Sequence, residues 1–170
     1  MCEAIINKIK QLKKEHNVVI LAHNYVASEL QDIADVLGDS LQLSIEASKL
    51  GAPVIVFCGV SFMAETAKIL SPNSKVLLPV KTAGCPMADM ATGEAVAEFR
   101  RTHPDYVLVA YVNSTAAVKA EVDICCTSAN AEKIVASIPR DKKIMFLPDR
   151  NLGRKEAKTL NREMEFWPGY

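Results

Sequence analysis

The chain has 170 residues, a length that suits one ordinary domain or two small ones. Apolar residues make up 49% of it, and 20 basic residues balance 20 acidic residues without forming a basic cluster. This balance argues against nucleic acid or a membrane surface as the main partner, and no apolar stretch reaches the length of a membrane span.

Hydrophobic periodicity predicts alternating helices and strands in the first half of the chain. A continuous apolar run with β-branched residues at 18–22 predicts a strand that is covered on both faces. Gly38 and Gly51 are expected to end two successive helices, and Asp39 or Ser40 is expected to cap the second. The predicted elements are helices near 3–15, 28–37, 40–50 and 62–70, and strands at 18–22, 53–58 and 75–78.

The second half shows the same alternation after a loop. Residues 80–91 have neither a helical nor a strand period and contain glycine and proline. Beyond them the pattern predicts helices near 93–102, 114–120, 129–137 and 150–161, and strands at 106–112, 122–126 and 143–147. Strands that alternate with helices indicate an α/β fold, built from parallel three-layer α/β/α units.

One unit of sequence occurs twice, with a polar triplet at the end of a buried strand each time. The triplets are His23-Asn24-Tyr25 and Tyr111-Val112-Asn113, and residues 58–65 are echoed by 125–132. Ligands of parallel α/β sheets bind beyond the carboxyl ends of the strands, so we predict that the triplets form two walls of one polar site. The repeat predicts two domains, residues 1–85 and 86–170.

The chemistry of these residues favours an anionic substrate. The imidazole of His23 can contact a substrate oxygen near neutral pH, and the phenol of Tyr25 can donate or accept a proton. Ser40 and Ser128 lie where helices are predicted to begin, and helix N-termini attract carboxylates and phosphates. Each feature also has a structural interpretation, as a hydrogen-bonded strand end or a plain N-cap.

The five cysteines form no CxxC or CxxH pair, which argues against a self-contained zinc site. Without an export signal at its start, the chain is expected in the cytoplasm, where thiols stay reduced. Cys85 lies in the glycine- and proline-containing loop and should be accessible, whereas Cys58 should be a core residue. Cys85 could be a nucleophile with His23 as its base, a ligand to a metal cluster, or an ordinary loop thiol.

Several stretches of the sequence, in order between about residues 18 and 152, closely resemble quinolinate synthase. They comprise both triplets and residues 31–35, 38–43, 62–68, 111–115 and 127–131. The resemblance implies three similar α/β domains around a pseudo-threefold axis. The chain would be the amino-terminal portion, with two of those domains.

The resemblance also implies an activity. Quinolinate synthases are transferases that condense iminosuccinate (iminoaspartate) with dihydroxyacetone phosphate to give quinolinate, the pyridine precursor of NAD. An L-aspartate oxidase is the candidate supplier of iminosuccinate. The family binds a 4Fe–4S cluster through three cysteines, one from each domain, and its open iron acts as a Lewis acid.

Carried over to this sequence, the resemblance assigns roles to individual residues. His23, Ser40, Tyr111, Asn113 and Ser128 would bind substrate, and Tyr25 and Tyr111 would be the catalytic phenols. Cys85 would be the first cluster ligand.

The sequence departs from the family in its length, because the third domain and two of the three cysteine ligands are missing. We therefore expect the isolated chain to be inactive. The alternative is a non-catalytic module that binds small anions or assembles with another chain. A third hypothesis is a metal-free thiol enzyme that uses Cys85 and His23.

Overall fold

The computed structural model describes residues 2–169 and divides into two compact units. The first unit ends at Gly84, and the second begins at Cys85. Each unit contains a four-stranded parallel sheet with flanking helices, so the predicted α/β fold of repeated units is confirmed. None of the helices among the described residues combines the length and apolar character needed to cross a bilayer.

The first unit contains eight elements. Its helices are α1 (Glu3–Glu15), α2 (Ser28–Gln31), α3 (Ser40–Leu50) and α4 (Ser61–Leu70), and its strands are β1 (Val18–His23), β2 (Val36–Gly38), β3 (Val54–Cys58) and β4 (Lys75–Leu77). The strands pair in the order β2-β1-β3-β4. His23, the last residue of β1, lies opposite Gly38, the last residue of β2.

The second unit repeats this arrangement. Its helices are α5 (Gly93–Thr102), α6 (Ala116–Ala120), α7 (Ala131–Ser137) and α8 (Arg150–Thr159), and its strands are β5 (Tyr106–Tyr111), β6 (Ile124–Cys126), β7 (Lys143–Leu147) and β8 (Glu165–Phe166). The strand order is β6-β5-β7-β8. Tyr111 lies opposite Cys126 at the end of the ladder, so Tyr111 is the counterpart of His23.

The same aspartate contact closes the amino-terminal side of β2 and of β6. The carboxylate of Asp35 accepts the backbone N–H of Ile20 at 2.7 Å and pairs with Lys13 at 2.8 Å. In the second unit, Asp123 accepts the N–H of Leu108 at 2.8 Å and pairs with Arg100 at 3.0 Å. The edge strands β2 and β6 are short, and their hydrogen-bond ladders do not extend to Ile20 and Leu108. The aspartate carboxylate accepts the backbone N–H of the central strand at this place.

One predicted helix is wrong. The helix expected over 28–37 ends after one turn at Gln31, and Val36–Gly38 forms the edge strand β2 instead. The apolar residues that suggested a helical stripe have separate roles, since Ile33 packs in the core from the turn after α2 while Leu37 pairs with Ala22 in the sheet. The strand β8 was also not predicted.

The predicted limits of α3 are confirmed by its capping geometry. The carboxylate of Asp39 accepts the backbone N–H groups of Leu41 and Gln42 at 3.0 and 2.8 Å. Gly51 ends the helix with φ +58°, a left-handed conformation that glycine adopts without a steric penalty. These two residues fix where Ser40 begins its helix.

The core of the second unit fixes the position of α8 over its sheet. Val109 and Phe146 are fully buried on the face that α7 and α8 cover. A Cβ atom added at Gly153 would lie only 2.9 Å from Phe146 and 2.8 Å from Phe166. Glycine therefore permits a close approach of α8 to Phe146 in β7 and Phe166 in β8. The helix begins just after the carboxyl end of β7.

Candidate active site

The carboxyl edge of the first sheet carries the triplet His23-Asn24-Tyr25. His23 ends β1 beside Gly38, and the backbone N–H of Asn24 donates to the carbonyl of Gly38 at 3.2 Å. Asp39 and Ser40 follow Gly38 directly. Strand pairing therefore brings His23 and the start of α3 to the same edge of the sheet.

The rings of His23 and Tyr25 are in contact. Their centroids are 4.0 Å apart, and the backbone N–H of Tyr25 donates to Nδ1 of His23 at 3.3 Å. The Tyr25 hydroxyl reaches Sδ of Met63 at 3.7 Å. Because Nδ1 accepts a hydrogen bond, the neutral imidazole carries its proton on Nε2 and can donate from that atom.

Two opposing effects act on the ionisation of His23. Burial lowers the pKa of the imidazole, the negative charge of Asp39 raises it, and the net effect is a lowered pKa. The imidazole is therefore neutral at neutral pH and acts as a hydrogen-bond donor through Nε2.

Removing the charge of Asp39 should lower the pKa of His23 further, because only the effect of burial then remains. We expect this in Asp39→Asn, a variant that keeps a good N-cap. An NMR pH titration of the imidazole measures it, with Asp32→Asn as the control. A pKa of His23 that rises in Asp39→Asn would contradict this electrostatic account.

The second unit presents Tyr111 and Ser128 at the matching edge. The backbone N–H of Val112 donates to the carbonyl of Cys126 at 2.7 Å, which brings the end of β5 against the end of β6. The side chains of Tyr111 and Ser128 are hydrogen-bonded. Asn113 is half-buried and follows Tyr111 by two residues, as Tyr25 follows His23.

Tyr111 also lies near three groups that carry or can acquire negative charge. Burial raises the pKa of its phenol most, the carboxylate of Asp149 adds to this, and the thiols Cys126 and Cys85 add less. The hydrogen bond from Ser128 opposes these effects. The phenol is protonated at neutral pH and can donate a hydrogen bond, and Cys85 belongs to its surroundings.

The remaining strand-end cysteines are poor thiolates. Burial raises the pKa of Cys58 and of Cys125, and it raises the pKa of Cys126 to about 12. Cys58 is buried, as predicted, while Cys85 is half-buried in its loop. Between residues 2 and 169, no group of three or more histidine, cysteine, aspartate or glutamate side chains could hold a metal ion.

At one of the two helix N-termini that the sequence singled out, a side chain already accepts from the backbone N–H groups. The carboxylate of Asp39 already occupies two N–H groups of α3. Before α7, Oδ1 of Asn130 accepts from the backbone N–H and the hydroxyl of Thr127 at 2.6 and 3.1 Å, and no side chain caps the N–H groups of α7 itself. The structural interpretation, a plain cap, therefore accounts for Asp39 at α3.

Two residues at the end of β7 were not predicted as part of the site. Asp149 caps α8 and acts on Tyr111 through its charge, and Arg150 is the first residue of that helix. Nε of Arg150 is buried, with no hydrogen-bond partner in the described part of the chain. Applying the strand-end rule to residues 143–147, as to the two triplets, would have identified both.

Comparison with known proteins identifies the family. A family model described as Quinolinate synthetase A protein matches residues 7–170. The chain belongs to this family. The resemblance inferred from the sequence is thereby confirmed.

Quinolinate synthases from several bacteria are similar to the chain over almost all of its length. The protein from Geobacter metallireducens is 58% identical over 99% of the chain, and the one from Pelobacter propionicus is 58% identical over 100%. A protein from Dehalococcoides mccartyi is 55% identical over 99%. The chain spans only 55 to 56% of the length of these quinolinate synthases.

Proposed function

We propose that this chain is part of a quinolinate synthase that condenses iminosuccinate with dihydroxyacetone phosphate to form quinolinate. Membership of the family supports this reaction class. The observation that carries the proposal is the placement of polar side chains at equivalent strand ends, with His23 beside the start of α3 and Tyr111 bonded to Ser128. Both substrates are anions, and these groups are hydrogen-bond donors.

The proposed roles follow from the geometry of each group. Nε2 of His23 and the hydroxyl of Ser40 donate to a carboxylate of iminosuccinate. In the second unit, Tyr111 and Asn113 are the proposed contacts to a substrate anion, and Ser128 both orients the phenol of Tyr111 and binds that anion. Arg150 has an unpartnered Nε and the chemistry to bind a carboxylate or phosphate.

Ring formation requires proton transfers as well as binding. Closing the ring removes water, so a proton must reach the departing oxygen, and a proton must also leave the carbon skeleton. Tyr25 and Tyr111 are the proposed acid–base groups, because each places a phenol at a strand end. Tyr25 is 56% exposed and in contact with His23, so it can exchange protons with solvent.

The 4Fe–4S cluster implied by the resemblance does not fit the described residues alone. Cys85 has the right chemistry, but residues 2–169 provide no group of three ligands. Cys126 is a buried thiol with a pKa of about 12. We propose that Cys85 is the single ligand from this chain and that the others come from the part of the relatives that it does not span.

The proposed setting follows from the substrates. An enzyme that oxidises L-aspartate would supply iminosuccinate, and neither nucleic acid nor a membrane takes part. The cytoplasm is the proposed compartment, since the cysteines Cys2, Cys58, Cys85, Cys125 and Cys126 are all free thiols.

We expect the 170-residue chain to form no quinolinate after anaerobic reconstitution with iron and sulfide. An extended chain, in which the carboxyl-terminal part of the Geobacter metallireducens relative is joined to residue 170, should retain iron and turn over. Iron content and quinolinate formation are measured together on both proteins.

The cysteine variants test the assignment of the ligand in the extended chain. Cys85→Ser should abolish iron retention and turnover, whereas Cys125→Ser, at a strand-end thiol of the second unit, should preserve both. Turnover by the 170-residue chain would overturn the predicted inactivity. Iron retention in Cys85→Ser would overturn the role of Cys85. Anion binding by an extended chain that never turns over would favour the non-catalytic module.

A further inference from the structure

The first unit contains an apolar groove between α1 and one face of its sheet. The groove has a volume of about 540 Å³ and is lined by apolar side chains that include Ile9, Ile20, Ile33, Val56 and Pro79. The ammonium group of Lys13, at its edge, is already bound to Asp35 and to the carbonyl of Ile33. A cavity of this size is within the range that binds small molecules or side chains.

The corresponding place in the second unit can be identified from the strand register. Ile20 in β1 and Leu108 in β5 are equivalent, because each lies three residues before the end of its strand. Ile20 lies opposite Val56, and Leu108 lies opposite Met145. On the other side, Val56 pairs with Leu77 and Met145 pairs with Glu165. Pro79 lies two residues after Leu77, and Trp167 lies two residues after Glu165. Trp167 is therefore the counterpart of Pro79.

Trp167 fills in the second unit the space that is open in the first. Its side chain is only 8% exposed and packs against the core residues Leu108 and Met145. The indole N–H donates to the carbonyl of Met90 at 3.1 Å, and the ring makes an edge contact with Phe99 at 6.0 Å between centroids. The second unit thus seals its sheet face with an indole from its own chain.

Pro79 cannot provide this seal. A pyrrolidine ring is much smaller than an indole, and Pro79 itself is exposed. Leu12, which lines the groove, remains 39% exposed, and Val80, next to Pro79, remains 56% exposed. Throughout the described residues, the exposed large hydrophobic side chains all lie in the first unit, between Ile5 and Val80.

We propose that the groove receives a tryptophan-sized aromatic side chain from a polypeptide segment outside these 170 residues. The second unit shows which chemistry fits this place in the repeat, a planar apolar ring that enters beside the fourth strand. The relatives provide the length for such a segment, because the chain spans 55% of them and leaves 45%. The groove has this role whichever reaction the protein catalyses.

Filling the groove from within should stabilise the first unit. In Pro79→Trp, the new indole occupies the place that corresponds to Trp167, and the melting temperature of the 170-residue chain should rise by about 4 °C. Pro79→Ala is the matched control, since it changes the backbone without filling the space. A melting temperature that is equal in both variants, or lower in Pro79→Trp, would overturn the proposal.

Free indole serves as the probe of the open groove. It should bind the 170-residue chain with a Kd on the order of 0.1 to 1 mM and shift the methyl NMR signals of Ile9, Ile20 and Ile33. Pro79→Trp should weaken this binding at least tenfold. Absence of binding, or shifts at other methyl groups, would show that the groove does not accept an aromatic ring.

The extended chain distinguishes a polypeptide occupant from a free ligand. With the carboxyl-terminal part of the Geobacter metallireducens relative attached, the groove should be closed, and indole should no longer shift the three isoleucine methyl groups. Unchanged indole binding by the extended chain would overturn the proposed occupant, even if that chain is a fully active synthase.

Discussion

Tyr111→Phe should lower kcat/KM for quinolinate formation at least 100-fold in the extended chain. The substitution removes the hydroxyl that is bonded to Ser128 and keeps the ring that packs against the core of the second unit. Loss of a positioned donor or acid–base group typically costs 10²- to 10⁴-fold in rate. Steady-state kinetics with both substrates measures the effect.

Tyr106→Phe is the matched control, because Tyr106 lies at the opposite end of the same strand. Its hydroxyl is bonded to Glu165, remote from the carboxyl edge where Tyr111 lies. This variant should keep kcat/KM within about twofold, whereas Ser128→Ala should lose about tenfold through its effect on Tyr111. Equal losses in Tyr106→Phe and Tyr111→Phe would refute a specific role for Tyr111.

Much of the fold could be predicted from the sequence, because several local signals agree. At α3, the capping residue Asp39, the apolar stripe and the stop signal at Gly51 all indicate the same helix. The strand Lys143–Leu147 matches its prediction at both ends, since its core residues form a continuous apolar run.

The missed elements are those whose identity depends on distant residues. Val36–Gly38 is a three-residue strand, and a run that short has no period that separates it from a helix. Its conformation follows from pairing with β1 and from the contact of Asp35 with Ile20. Neither contact can be recognised from the local sequence.

The candidate site also has some features that could be predicted from the local sequence and others that depend on distant residues. The strand-end rule located His23, Tyr111 and their neighbours, because a polar triplet after an apolar run is visible in the sequence. The tautomer of His23 depends on the backbone N–H of Tyr25, and the ionisation of Tyr111 depends on Asp149, 38 positions further along the chain. Such couplings emerge only when the strands are placed side by side.

Asp123→Ala should lower the free energy of unfolding by about 2 to 3 kcal/mol, because it leaves the backbone N–H of Leu108 without its acceptor. Leu108 is 1% exposed, so water cannot replace the carboxylate there without opening the sheet. The ion pair with Arg100 contributes less, since both of its side chains are more than one-third exposed. Urea denaturation followed by the fluorescence of Trp167, the single tryptophan, reports on the unit that contains Asp123.

Three variants separate the hydrogen bond from the ion pair. Arg100→Gln removes the pair, together with the hydrogen bond that Nε donates to the carbonyl of Glu121 at 2.7 Å, and should still cost less than Asp123→Ala because it keeps the acceptor for Leu108. Asp123→Asn also keeps an acceptor for Leu108 and should cost less than Asp123→Ala. Asp141→Ala, at an exposed aspartate in the same unit, should have no measurable effect. If Arg100→Gln costs as much as Asp123→Ala, the contacts of Arg100 rather than the acceptor for Leu108 stabilise the edge of the sheet. The contact between Asp35 and Ile20 would then need the same reinterpretation, because it has the same geometry.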